Sequence, residues 1–101
     1  MAHKQMTPDE VRKRLENNEN LSIIDVREDD EVVEGIIPGA AHIPLGELHL
    51  RLNEINQGEE HIMVCRSGGR SGKATDFLLS KGFKVKNMPG GMLEWDGKVE
   101  R

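Results

Sequence analysis

Two short stretches, LSIIDV at 21–26 and HIMVC at 61–65, are apolar on consecutive positions, and each runs into charge at its carboxyl end, at Asp25 and Arg27 and at Arg66. Runs this short, with no polar side to turn to water, predict strands covered on both faces. KVKNM at 84–88 alternates and stops at Pro89, giving another strand. The segments between them have helical spacing. Strands separated by helices of ten or so residues predict an α/β fold, a central, mostly parallel sheet flanked by helices on both faces.

The helical segments carry their own punctuation. At 7–10, TPDE reads as a helix start: Thr7 as N-cap, Pro8 at the first helical position, Glu10 closing a capping box, and Met6 placed to staple onto Val11. EDDEVVEG at 28–35 predicts a short helix with an acidic first turn, closed by Gly35. IIPGAAHIPLGEL reads as an ordered loop with at most a brief strand around Ala41 to Ile43. Leu45, Leu48, Leu52 and Ile55 then predict a helix stopped at Gly58, and Ala74, Phe77, Leu78, Lys81 and Gly82 predict another with a glycine cap. A single helical turn around Met92 to Trp95 is expected before the tail frays.

With 101 residues and no repeat, low-complexity tract or linker, residues 1–101 read as one domain. A net charge of −4 argues against nucleic-acid and anionic-membrane partners unless a local basic patch overrules it. No run approaches the ~18–20 apolar residues of a membrane span, and MAHKQMTPDE lacks the apolar stretch of a signal peptide. One cysteine makes neither an intramolecular disulfide nor a cysteine-rich zinc site, which fits a reducing, cytoplasmic compartment.

That cysteine, Cys65, ends a predicted strand and is followed by RSGGRS. Glycines let the chain curl with several backbone N–H groups pointing inward, a nest that binds anions. A helix expected to begin near Arg70 or Ser71 adds its dipole, and Arg66, Arg70 and Lys73 add full charge. All of these favour thiolate over thiol, so the Cys65 pKa is expected below the free value of about 8.5. Open sheets bind ligands outside the carboxyl ends of their strands, where Cys65 lies.

On these residues the chain resembles a single-domain rhodanese, a thiosulfate sulfurtransferase-type module. IIDVRED at 23–29 is similar to the family's Asp-x-Arg strand end, EGIIPGAAHIPL at 34–45 to its Gly-His-Ile-Pro-Gly-Ala segment, CRSGGRS at 65–71 to its active-site loop, and PGGMLEW at 89–95 to its closing Gly-Gly and Trp. Ile36 stands where the family commonly has histidine. The resemblance implies transfer of a sulfane sulfur from a small anionic donor such as thiosulfate, through a Cys65 persulfide, to cyanide, a thiol or a sulfur-accepting protein. It implies no cofactor and no metal. Cys65 is the expected nucleophile, and Arg66, Ser67, Gly68, Gly69, Arg70 and Ser71 the expected substrate-binding loop. Arg66 would orient the donor; Arg70 would contact substrate or pair with an acidic group that holds the loop. A persulfide carrier without turnover is the alternative. A small cysteine phosphatase or arsenate reductase is disfavoured, because such loops resemble cysteine, five residues, then arginine, and here Ser71 occupies that place.

Other residues have simpler readings. Asp25 and Arg27 are expected as a strand-end salt bridge or loop support rather than as substrate contacts. The acidic run from Glu28 to Glu31 reads as a solvated helix start, and Met92 and Trp95 as a hydrophobic lid over the sheet. His3, His42, His49 and His61 are too widely spaced for a metal site and read as surface or satisfied loop histidines.

Overall fold

The structure, a computed structural model, describes residues 4–101, so the expectation for His3 lies outside the described residues. Four strands, β1 (Ser22–Asp25), β2 (Ala41–His42), β3 (Glu60–Val64) and β4 (Lys84–Asn87), form one sheet in the order β2-β1-β3-β4. Every ladder is parallel, with Asp25 opposite Val64 and Met63 opposite Asn87. The chain leaves β1 toward one edge of the sheet and leaves β3 toward the other. The carboxyl ends of β1 and β3 are therefore the switch point at which sheets of this kind bind ligands.

Period-two side-chain alternation divides the core into two layers. Ile24, Val26, Met63, Cys65 and Val85 face one way, onto Ala74 and Leu78 of α3 (Gly69–Ser80) and onto Leu48 and Ile55. Ile23, Ile62 and Val64 face the other way, onto Met6, Ile37, Met88 and Val11 of α1 (Pro8–Glu16). Met92 and Trp95 pack against this second layer, as the lid reading expected. Each fully buried Leu, Ile or Met contributes roughly 1.5–3 kcal/mol. Both faces of the sheet need covering, which is why the strand segments are apolar on consecutive residues.

The start of α1 follows the sequence closely. The Thr7 hydroxyl accepts from the Glu10 amide at 3.2 Å and the Glu10 carboxylate accepts from the Thr7 amide at 3.1 Å, while Met6 and Val11 share one cluster. The acidic segment forms α2 (Asp29–Val32), four residues capped by Glu28.

Two expectations for the connecting segment and the tail fail. The predicted helix through Leu45 and Ile55 is instead two 3-10 turns, Leu45–Leu50 and Leu52–Glu54, broken at Arg51, whose φ of −121° is outside the helical range. The pairs Leu45/Leu48 and Leu52/Ile55 are each three residues apart, the spacing a 3-10 turn stacks on one side, and Arg51 absorbs the extra residue between them. The tail does not fray after its 3-10 turn at Gly91–Glu94. It returns so that Ile36 and Glu100 exchange backbone hydrogen bonds of 2.9 and 2.8 Å.

Candidate active site

Cys65 follows directly on β3 and lies at the switch point, its side chain on the α3 side of the sheet and fully buried. The chain then turns through Gly68, whose φ of +101° is left-handed, and enters α3 at Gly69, one residue before the predicted start. A Cβ on Gly68 would stand 3.0 Å from the Gly90 amide nitrogen, so this position needs glycine twice over, for its dihedral and for its close approach. Gly69 has neither constraint: nothing lies within 4 Å of where its Cβ would be.

This turn aims donors at the sulfur. The Gly68 amide donates to Cys65 Sγ at 3.0 Å, and the buried Ser71 hydroxyl, at the third position of α3, donates at 3.3 Å. Burial is the largest single influence on the thiol and pushes its pKa up. The Ser71 hydroxyl and the amides of Ser71, Gly68 and Ser67 together outweigh it, holding the thiol below its ordinary value. The first turn of α3 thus supplies the orphan N–H groups that a helix start leaves free.

The loop is clamped from behind. Met92 N and Leu93 N donate to the carbonyls of Cys65 and Arg66 at 2.9 and 3.0 Å, and Asn87 Nδ2 donates to the Gly68 carbonyl at 3.2 Å. Gly91 backs directly onto the Cys65 and Arg66 carbonyls.

The two arginines are placed differently. Arg66 is exposed, and no hydrogen bond or ion pair holds its guanidinium among the described residues. Arg70 makes a bidentate pair with Glu31 of α2, at 2.6 and 2.7 Å. Arg70 holds the Glu31 carboxyl down to about 2, against partial burial that pushes it up, and the pairing raises the Arg70 pKa in turn. The acidic run is therefore only partly a solvated face: Glu28, Asp29 and Asp30 are exposed, while Glu31 is committed.

Asp25 and Arg27 bond to each other rather than to the sulfur. The Arg27 guanidinium donates to Asp25 at 2.8–3.0 Å and to the Gly35 carbonyl at 2.7 Å, bracing the return from α2. His42 Nε2 donates to the Arg27 carbonyl at 2.6 Å. His61, expected on the surface or in a loop, is instead a buried strand residue whose Nε2 donates to the Asn56 carbonyl at 2.7 Å while Nδ1 pairs with the Ser22 hydroxyl at 2.6 Å; His49 is exposed. Among the described residues no three His, Cys, Asp or Glu side chains are grouped to hold a metal, and no helix is long and apolar enough to cross a membrane. A groove of about 490 Å³ between α1 and Trp95 lies on the far face of the sheet from the Cys65 side chain.

Glu31 and Gly91 are the residues that sequence reasoning underused. The only signals for them were an acidic run of unassigned partner and a Gly-Gly pair noted as a family feature.

The family model described as the rhodanese-like domain matches residues 7–98. The chain belongs to the rhodanese-like domain family. A putative sulfurtransferase of Bacillus subtilis, YtwF, is 38% identical over 100 residues, which cover 99% of this chain and 97% of that protein. A putative sulfur carrier protein of the same organism, YrkF, is 43% identical over 90 residues, 88% of this chain but 49% of that protein. The crystal structure of a rhodanese-like domain protein from Staphylococcus aureus superposes with a TM-score of 0.91 at 36% identity, over 96% of each chain. The fold agrees with the expected α/β sheet, and the two curated relatives carry the names of a putative sulfurtransferase and a putative sulfur carrier.

Proposed function

We propose that this rhodanese is a sulfurtransferase, with one functional unit spanning residues 1–101, whose nucleophile is Cys65. The observation that carries this is the convergence of the Gly68 amide and the Ser71 hydroxyl on Cys65 Sγ, at 3.0 and 3.3 Å. The thiolate attacks the outer sulfur of an anionic donor. With thiosulfate, the S–S bond breaks, sulfite leaves with the bonding pair, and Cys65 carries a persulfide whose terminal sulfur is anionic. Amides already aimed into the loop stabilise that charge without reorganising. A thiol or cyanide then attacks the terminal sulfur and regenerates the thiolate; cyanide leaves as thiocyanate. Arg66 draws in and orients the donor, and Arg70 holds the loop through Glu31. The lone, activated thiol suits a reducing, cytoplasmic setting.

Intact mass after incubation with thiosulfate tests this. A gain of one sulfur, about 32 Da, reversed by cyanide and absent from Cys65→Ser, is expected of a thiolate acceptor. No gain overturns it. The similarity to a protein named as a putative sulfur carrier supports a second reading, in which the same persulfide forms but is released only to a partner protein. Multiple turnovers with a small thiol or cyanide distinguish the enzyme from the carrier.

A further inference from the structure

Asn87 ends β4 and is buried, at 4% exposure. Its main chain is fixed by the segment before α1: Met6 N donates to its carbonyl and its own amide donates to Lys4 O, both at 3.0 Å. Its side chain crosses to the cysteine loop, where Nδ2 donates to the Gly68 carbonyl at 3.2 Å. The other half of the carboxamide is stranded, with Oδ1 buried and lacking a hydrogen-bond partner. A stranded buried acceptor costs stability, and an apolar side chain of the same shape would avoid that cost. The donor half is therefore what the position keeps an amide for, and turning the amide over would set two oxygens against each other.

The Gly68 carbonyl accepts a second bond, at 3.0 Å, from the Gly72 amide in the first turn of α3. Both lone pairs of that oxygen are then engaged, which polarises the peptide joining Gly68 to Gly69 and strengthens its N–H as a donor. That N–H belongs to Gly69. In a planar trans peptide it points opposite to the carbonyl, so holding the oxygen toward Asn87 directs the hydrogen away from β4. Among the described residues the Gly69 amide has no hydrogen-bond partner, although Gly68 and Ser71, which flank it in sequence, both reach Cys65 Sγ. One oriented, polarised donor is left over beside the sulfur.

Resting on the sulfurtransferase reading above, we infer that Asn87 is a positioning residue that aims the Gly69 amide at the transferred sulfur. The donors on Sγ serve the resting cysteine, whereas the Gly69 amide is engaged only once Cys65 carries a second, terminal sulfur. Asn87 thus favours the loaded state over the unloaded one. A substitution at residue 69 that keeps the amide in place leaves this contact intact.

Loading by thiosulfate releases sulfite, so mixtures of the two set an equilibrium between thiolate and persulfide, read as the loaded fraction by intact mass above the pH midpoint of Cys65 alkylation. Asn87→Leu keeps the approximate shape and removes the donor. Its loading equilibrium constant should fall about tenfold, the scale of losing an aligned hydrogen bond to a charged group, while the alkylation midpoint stays at the wild-type value. An unchanged constant overturns the inference. A raised midpoint also overturns it, because Asn87 would then support the whole cradle rather than the terminal sulfur. The unmodified protein gives a check independent of how the variant folds: solvent exchange of the Gly69 amide, followed by NMR, should slow about tenfold or more on loading. Loading that leaves Gly69 exchange unaltered sinks this inference alone, whereas a wild type that takes up no sulfur sinks the sulfurtransferase reading itself.

Discussion

Gly91 stands against the Cys65 carbonyl so closely that a Cβ there would be 2.3 Å from the oxygen, and 2.5 Å from that of Arg66. Its φ of +56° is itself left-handed. The backbone carrying the cysteine and the glycine turn after β4 therefore form one unit, and the loop keeps its shape only while that contact persists. Gly91→Ala should abolish sulfur loading, with unfolding curves destabilised by about 2 kcal/mol or more, in the range of forced contacts and positive-φ strain. Loading at the wild-type rate would show that the loop does not depend on this support.

The two loop glycines should separate. Gly68→Ala forces a side chain into a left-handed position facing the Gly90 amide and should lose most loading activity. Gly69→Ala has open space and helical geometry, and should keep its activity and hold stability within about 1 kcal/mol or gain slightly. Equal losses in the two would mean that residue 69 contacts substrate, the role expected from its place in the motif.

Removing the Ser71 hydroxyl takes one donor from the sulfur. Ser71→Ala should raise the Cys65 pKa, move the pH profile of loading to higher pH, and slow loading at neutral pH on the order of ten- to a hundredfold, the scale of a hydrogen bond to a charged group. The rate above the thiol's own titration should recover. A uniform loss at every pH would assign Ser71 to packing instead.

The buried strands, the parallel sheet covered on both faces and the loop after β3 were legible because each rests on local pattern: consecutive apolar residues, helical spacing, and glycines beside the cysteine; the strand order was not, since nothing local sets it. The Glu31–Arg70 pair was not, since its partners are 39 residues apart and any carboxylate of the acidic run satisfies the same sequence. Nor was the Gly91 contact, which a Gly-Gly pair marks only as a turn. The 3-10 turns after Pro44 escaped because a spacing of three followed by four fits a continuous helix equally well.

Asp25 and Arg27 are buried together, at 1% and 6% exposure, so deleting one partner strands the other. Arg27→Met should cost about 3–5 kcal/mol in denaturant unfolding. A loss below 1 kcal/mol would argue against its role in bracing the return from α2.

Acid should weaken the Glu31 contact late. Because the folded carboxyl titrates near 2 rather than 4.5, its contribution is complete above about pH 4.5 and is lost as pH falls toward 2. Both side chains are partly exposed, which limits the effect to about 1 kcal/mol. The stability difference between wild type and Glu31→Gln should shrink over that window. A difference that instead disappears between pH 6 and 8 would implicate another group.

The most direct measurement is the titration of Cys65 itself, followed by its rate of alkylation as a function of pH in the folded protein. Since Cys65 is the chain's sole cysteine, the signal belongs to one residue. A midpoint clearly below the free-thiol value of about 8.5, shifted upward in Ser71→Ala, is the predicted result. A midpoint at or above that value would mean that burial prevails over the donors, and the sulfur-transfer account would be contradicted.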